Sequence, residues 1–432
     1  MTGTLDLVGV GIGPFNLSLA ALLDRAPAMR RIFLDRKAEF EWHSELMFGD
    51  ATMQTCYLKD LVTPVDPTSP HSFLNFLVSN GLFYPFLNTQ RSAISRREFE
   101  QYGRWVSRNL SSHLRFGEDV REISFDGRAF QVRSSKESYP TKNLCIATGP
   151  TPKIPAFTRP HLGARVFHAK SPTLRELDLT GKRLVVIGGG QTGLEIFRNA
   201  AIGTWGRAHS VLLATSRRTL EPLDESAFVN EYFAPSYLEK FWDFPRETKN
   251  EIVAAQKLAS DGNTPSYLKE VYNDLYRLRF VERDEREIRI LASRRLAGMS
   301  ENAGTYDLEL ESTLLQRREG LRADIVILAT GFETKLPPSL EPLFPRLQLD
   351  ADQRPILQKS YALSWDGPKA NRIYALNFSR PQHGIADPQT SLMAWRSAVV
   401  VNDLCGRKIY ETRGCPDGFV EHGAHHPITE LK

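Results

Sequence analysis

Cysteine is scarce and scattered. Cys56, Cys145, Cys405 and Cys415 are the four in 432 residues, with no C-x-x-C pair and no histidine at metal-ligand spacing. That excludes the dithiol a disulfide reductase needs and leaves no sulfur-held zinc or iron centre, so no metal is expected. No stretch approaches the roughly 20 apolar residues that span a bilayer, so no membrane partner is expected either. Basic residues form no block: the net charge is +4 and the charged fraction 25%, spread along the chain, which removes nucleic acid as an implied partner. Met1 to Asp6 has no basic run, and the apolar stretch after it is broken at once by glycine and proline, unlike a secretory leader. A cytoplasmic protein is the default expectation.

What is present is apolar material, 41% of a chain too long for one ordinary domain, enough for two or more cores. Leu5 to Val10 reads as a strand, Gly11 to Pro14 as a tight turn, Asn16 to Leu23 as a helix and Ile32 to Leu34 as the next strand, ending in Asp35. Phe40 to Pro70 has no clean period and reads as loops over a ligand. Phe73 to Leu77 and Arg97 to Leu110 look helical, and Phe116 to Arg133 alternates like a small antiparallel insertion. Leu144 to Ala147 is a buried strand, followed by Pro150, Pro152 and Pro155, a linker spacing. The pattern then restarts: Arg183 to Ile187 as strand, Gly188 to Gly193 as turn, Leu194 to Ala201 as helix, Ser210 to Ala214 as strand. Ser216 to about Phe280 reads as mostly helical. Glu287 to Ala297, Asp307 to Glu311 and Asp324 to Ala329 read as strands and Ser391 to Leu404 as a last helix. Ile146-Ala147-Thr148-Gly149 and Leu328-Ala329-Thr330-Gly331 echo one another, each downstream of a glycine turn.

Those glycine turns carry the first chemistry. Gly9, Gly11 and Gly13 allow a backbone to turn sharply and approach a pyrophosphate at a helix N-terminus, with Pro14 in the place of the third glycine of G-x-G-x-x-G. Asp35 stands where a carboxylate meets adenosine ribose hydroxyls. An ordinary strand-to-helix turn is the alternative, and the placement of Asp35 argues against it. Gly188, Gly190 and Gly193, with Gln191 inside the turn, match G-x-G-x-x-G without adjustment. The following strand ends not in an acid but in Thr215, Ser216, Arg217 and Arg218, which suit the 2′-phosphate of NADPH, although two arginines can also be a solvated loop pair. The expected fold is α/β: two Rossmann-like dinucleotide-binding domains, one inserted in the other, plus a mostly helical substrate region. The expected boundaries are 1–155 with 320–413 for an FAD domain, 165–215 with 281–319 for an NADPH domain, 216–280 for the helical region and 414–432 for a polar tail. Two nucleotide sites without redox cysteines imply hydride transfer from NADPH to FAD and then to an external acceptor, dioxygen.

Gly9 to Asn16, Phe40-Glu41-Trp42-His43, Met53 to Leu61, Asp66-Pro67-Thr68-Ser69-Pro70, Asp224 to Glu231 and His383-Gly384-Ile385-Ala386-Asp387-Pro388 resemble the microbial N-hydroxylating monooxygenases. These are the lysine, ornithine and diamine N-hydroxylases of hydroxamate siderophore biosynthesis. The likeness runs from the first strand to Trp395-Arg396 and is closer to the lysine and diamine branch than to the ornithine branch. The resemblance implies a C4a-hydroperoxyflavin whose distal oxygen is attacked by a neutral primary amine, and a homo-oligomer, dimer or tetramer. It further implies that Gln54 lies beside the flavin as the one catalytic side chain, and that Lys59 and Asn230 hold an amino-acid substrate. Asn16, Trp42, His43, His383 and Pro388 would join Gly9, Gly11, Gly13, Pro14 and Asp35 around FAD. For Lys59 the alternative is an ion pair with Asp60 or a nearby acid; for His43 it is a core histidine, and for Gln54 a buried, satisfied amide.

Three readings follow. The first is N6-hydroxylation of L-lysine, with cadaverine or putrescine as alternative substrates. The second is a related flavin monooxygenase acting on sulfur or a ketone, which gives Lys59 no purpose. The third is a flavin-binding redox sensor without turnover, which gives two intact turns no purpose.

Overall fold

The computed structural model describes residues 3–414 and 419–422; Cys415 and most of the expected polar tail lie outside the described residues. Two sheets organise the chain. In the first, parallel strands run in the order Leu114–Phe116, Arg31–Asp35, Leu5–Val10 and Ser138–Ile146. Ser138–Ile146 is shared: its first half pairs antiparallel with Phe130–Ser134, and its last three residues pair parallel with Ile373–Ala375. The antiparallel hairpin Val120–Phe125 with Phe130–Ser134 is the insertion its alternation suggests. Strand interiors Leu7, Val8, Leu144 and Ile146 are fully buried, as parallel strands covered on both faces must be.

The second sheet is wholly parallel, in the order Val166–His168, Ile325–Leu328, Arg183–Ile187, Ser210–Ala214 and Glu287–Leu291. Here the expected boundary at 320 needs correction. Ile325–Leu328 pairs on both sides within the second sheet, so that unit extends at least to 328. A strand's apolar run gives its burial but not its partners. A three-stranded antiparallel sheet of Arg294–Asn302, Thr305–Ser312 and Arg318–Ala323 packs beside it. The single strand expected over Glu287 to Ala297 is two strands, parted at Ser293, whose φ of 58° no strand tolerates.

The units are joined by two chain segments running together. Thr151–Pro152 pairs antiparallel with Phe332–Glu333, just after the two echoed Ala-Thr-Gly sequences. Between Ser210–Ala214 and Glu287–Leu291 the chain forms the helices Pro235–Asp243, Arg246–Ala255, Lys257–Asp261 and Pro265–Tyr276, in the region expected to be helical. Tyr237 and Phe241 are buried there while Phe228 is exposed, so the aromatic run is mainly core. Among the described residues no helix is long and apolar enough to cross a membrane.

Candidate functional site

The two glycine turns are built alike. Gly11 adopts φ +87°, and a Cβ there would lie 2.6 Å from the Ala147 carbonyl oxygen. Gly188 adopts φ +127°, and a Cβ there would lie 2.1 Å from the Ala329 carbonyl oxygen. Only glycine meets both demands at either place. Gly11 N donates to Leu34 O and Gly188 N to Ala214 O, each at 2.8 Å. The echoed sequences thus supply the wall against which each turn packs.

Each turn opens a helix whose first amides are free. Pro14–Leu22 and Gln191–Ala201 begin after Gly13 and Gly190, with no side-chain cap and no acid in the first turn. Nothing lies within 4 Å of where a Cβ would project at Gly13 or Gly190. Uncapped amides, a positive helix end and open space are what a pyrophosphate requires, so the residues present fit two dinucleotides. Gly193 serves packing: a Cβ would fall 1.9 Å from Gly188 O. Gly9 does likewise against the Phe33 ring.

Asp35 sits beside the first turn, its Oδ2 accepting from Ile12 N at 2.7 Å and its Oδ1 from Lys37 N at 2.9 Å. Each oxygen keeps a lone pair that a ribose hydroxyl could use. Asn16, at the third position after Gly13, lies directly under the first turn. It is fully buried beneath the turn, and its Nδ2 donates to the carbonyls of Val10, Gly11 and Cys145. Its Nδ2 braces the loop, while its Oδ1 is buried with no hydrogen-bond partner.

At the second turn Thr215 is buried against Gly189 and accepts from Arg217 N at 3.2 Å, while Ser216 and Arg218 are exposed. Arg217 Nη2 donates to Asp261 O at 2.9 Å; its Nη1 is buried, 3.6 Å from a Glu221 carboxylate oxygen, with no hydrogen-bond partner. A guanidinium with one unsatisfied arm at the rim of a dinucleotide cradle fits an additional anionic oxygen.

A cavity of about 240 Å³ runs from this turn to the first unit, lined by Gly190, Gln191, Arg217, Ser260, Asp261 and Gln54. Gln54 comes from the strand Thr52–Cys56, paired with Ala93–Ser95 inside the stretch expected to be loop. It is exposed, not a buried satisfied amide, and its Nε2 donates to Thr264 Oγ1 at 3.2 Å.

Lys59 follows the same strand and is half-buried beside Met53, Cys56, Tyr57 and Phe99. It is not paired with Asp60, whose oxygens are taken by Val62 N, Thr63 N and Oγ1, and Phe73 N at 2.6–2.9 Å. No carboxylate pairs with it among the described residues. Desolvation lowers the Lys59 pKa, the Cys56 sulfur acting weakly the other way. Asn230 is exposed on the turn Val229–Phe233, and its Nδ2 donates to Glu225 O at 3.1 Å.

Trp42 packs edge-on against His43 and Phe99 at 4.7 and 5.0 Å. Desolvation, with Lys170, Arg96 and Lys37 nearby, pushes His43 down to about 3. His383 is buried and stacked on Tyr361 at 4.2 Å, and desolvation pushes its pKa down to about 4. Asp387 beside it binds Ser379 N and Oγ and the fully buried Arg396. Pro388 is exposed at the end of that loop, next to Gln389, whose Nε2 donates to Ser260 O.

A buried ion pair, which no sequence motif announces, joins the units. Arg96 and Glu195 form a two-armed pair at 2.8 Å on each arm, and Gln191 donates to the same carboxylate. The one local signal is Glu195 itself, an acid on the apolar face of its helix.

The comparisons with known proteins agree with one another. The family description L-lysine 6-monooxygenase/L-ornithine 5-monooxygenase matches residues 3–334. The chain is 40% identical to the L-lysine N6-monooxygenase of Escherichia coli, over 95% of this chain and 97% of that protein. It is similar to the FAD-bound cadaverine monooxygenase of the desferrioxamine pathway from Erwinia amylovora, with TM-score 0.89, 27% identity, and 98% and 100% of the two chains covered. It is also similar to the ornithine N-hydroxylase of Kutzneria sp. 744 with reduced FAD, NADP+ and L-ornithine, with TM-score 0.87, 25% identity, and 93% and 99% covered.

Proposed function

The chain belongs to the L-lysine 6-monooxygenase/L-ornithine 5-monooxygenase family, and on that premise we propose that it hydroxylates N6 of L-lysine in hydroxamate siderophore biosynthesis. It is a flavin monooxygenase, with FAD and NADPH as cofactors and a primary amine and dioxygen as substrates. We assign FAD to the first turn, with Gly11, Gly13, Pro14 and Asp35 holding it and Asn16 bracing the loop. NADPH belongs to the second, with Gly188, Gly190, Gln191 and Arg217. When bound, reduced FAD supplies the oxygen activation, and that chemistry is the cofactor's own.

The chain's residues bind, orient and set charge. The reacting amine must be neutral, and at an ordinary pKa of about 10.4 only roughly one part in a thousand is neutral near pH 7.5. A half-buried site with the Lys59 ammonium in it disfavours a second positive charge, by desolvation and by like-charge repulsion. Lys59 also selects. An unpaired, partly desolvated ammonium is costly, and an α-carboxylate removes that cost. This is the observation that favours lysine over cadaverine or putrescine, which carry no carboxylate. Gln54 lines the same cavity as the second turn, which supports a role for its amide beside the bound cofactors.

All three cysteines among the described residues are free, which fits the reducing cytoplasm in which we place the enzyme as a dimer or tetramer. The test is product analysis. FAD-loaded protein with NADPH and air is given L-lysine, L-ornithine, cadaverine or putrescine. N6-hydroxylysine as the main product supports the reading; a hydroxylated diamine as the main product replaces lysine as the substrate, and no hydroxylamine from any amine overturns the reading.

A further inference from the structure

One hydrogen-bonded path runs from the second glycine turn to Gln54. Gln191, the first residue of the helix after Gly190, accepts at Oε1 from Thr264 N at 2.9 Å. Its Nε2 donates to Glu195 at 2.9 Å, so both ends of the amide are committed and its orientation is set. Thr264 then accepts at Oγ1 from Gln54 Nε2 at 3.2 Å. Asn263, fully buried next to it, holds the same segment to the turn, its Nδ2 donating to Gly189 O at 3.1 Å. The segment is also fastened to the first unit, through Arg380 Nη2 to Ser260 Oγ at 3.1 Å and Gln389 Nε2 to Ser260 O at 3.3 Å.

The geometry points to Thr264 as a positioning residue for the Gln54 amide, its hydroxyl holding the amide nitrogen at the edge of the cavity shared with the second turn. This deepens the proposed function and rests on it. An amide free to rotate presents oxygen and nitrogen in turn, and a reduced flavin and an incoming amine are both hydrogen donors that need the oxygen. Through Gln191 its position is also tied to the turn assigned to the nicotinamide dinucleotide. A hydroxyl is needed here, not bulk: valine matches threonine in shape but lacks the acceptor, while serine keeps it.

The experiment compares wild-type, Thr264→Val and Thr264→Ser holoenzymes. Two quantities are read: hydroxylamine formed per NADPH oxidised, and the visible absorption band of oxidised bound flavin before any turnover. The expected result is that Thr264→Val loses several-fold in product per NADPH and shifts the flavin band, that Thr264→Ser restores both, and that all three bind FAD and melt alike. Wild-type values of both quantities in Thr264→Val would overturn the inference. Equal losses in Thr264→Val and Thr264→Ser would overturn it too, because packing and not the hydroxyl would be responsible. A wild-type enzyme that hydroxylates no amine breaks the functional reading instead, and the flavin band still tests the orientation.

Discussion

Arg96 and Glu195 face each other across the boundary between the two units, two N–H···O bonds of 2.8 Å joining residues 99 positions apart. Arg96 opens the helix Arg96–Asn109 of the first unit, and Glu195 lies on the helix that follows the second turn, 1% exposed. Burial pushes the Glu195 pKa up, and Arg96 pulls against it. Arg96→Met leaves that carboxylate buried without its partner, a change that costs about 3–5 kcal/mol in comparable sites. The expected outcome is a large fall in stability to denaturant. The double variant Arg96→Met/Glu195→Met should recover most of it, since no charge is then stranded. A single variant as stable as wild type contradicts this account.

Cofactor choice rests on Arg217. Its Nη1, which has no hydrogen bond and only a loose ion pair with Glu221 at 3.6 Å, and the absence of an acid directly after Ala214 predict a preference for NADPH over NADH. One charge-assisted contact is worth about 1.5–3 kcal/mol, so Arg217→Ala should lower the NADPH-to-NADH ratio of kcat/KM by roughly 10- to 100-fold. The loss should fall on the KM for NADPH, with NADH kinetics unchanged. An unaltered ratio is the contrary result.

Much of this was legible in the sequence because glycine turns act over a few residues. The spacing of Gly188, Gly190 and Gly193 follows from steric demands that the structure expresses as contacts under 3 Å at Gly188 and Gly193. The echo of Ala147 and Ala329 was legible for the same reason. Contacts made by residues far apart in sequence were not. Arg96 with Glu195, Gln54 with Thr264 and the membership of Ile325–Leu328 in the second sheet depend on topology, which leaves no periodic trace. Asn16 shows a further limit: its place in a cofactor motif does not reveal that its amide nitrogen braces the loop from beneath through the carbonyls of Val10, Gly11 and Cys145.

Acid should destabilise the protein through its buried histidines. Burial pushes the His383 pKa down to about 4 in the folded protein, against about 6.5 in the unfolded chain. Its folded pKa is lowered, so the unfolded chain binds more protons between these values. Its contribution is fully present above pH 6.5 and is lost as pH falls toward 4. From 1.36 kcal/mol per unit, His383 alone accounts for roughly 2 kcal/mol of loss at pH 5. Stability measured in urea at pH 7 and pH 5 should fall by less in His383→Phe, which keeps the stack on Tyr361. An identical pH dependence in the variant removes His383 from the explanation.

The central claim is that Lys59 waits for the α-carboxylate of lysine. Its most direct measurement is the steady-state kinetics of wild-type and Lys59→Met holoenzymes with L-lysine and with cadaverine, which differ only in that carboxylate. The account predicts that Lys59→Met raises the KM for L-lysine roughly 10- to 100-fold, the worth of one charged hydrogen bond, with kcat within about threefold. Cadaverine, the poorer substrate of the wild type, should be unaffected or improved. Equal losses for the two amines, or a wild-type preference for cadaverine, would contradict it.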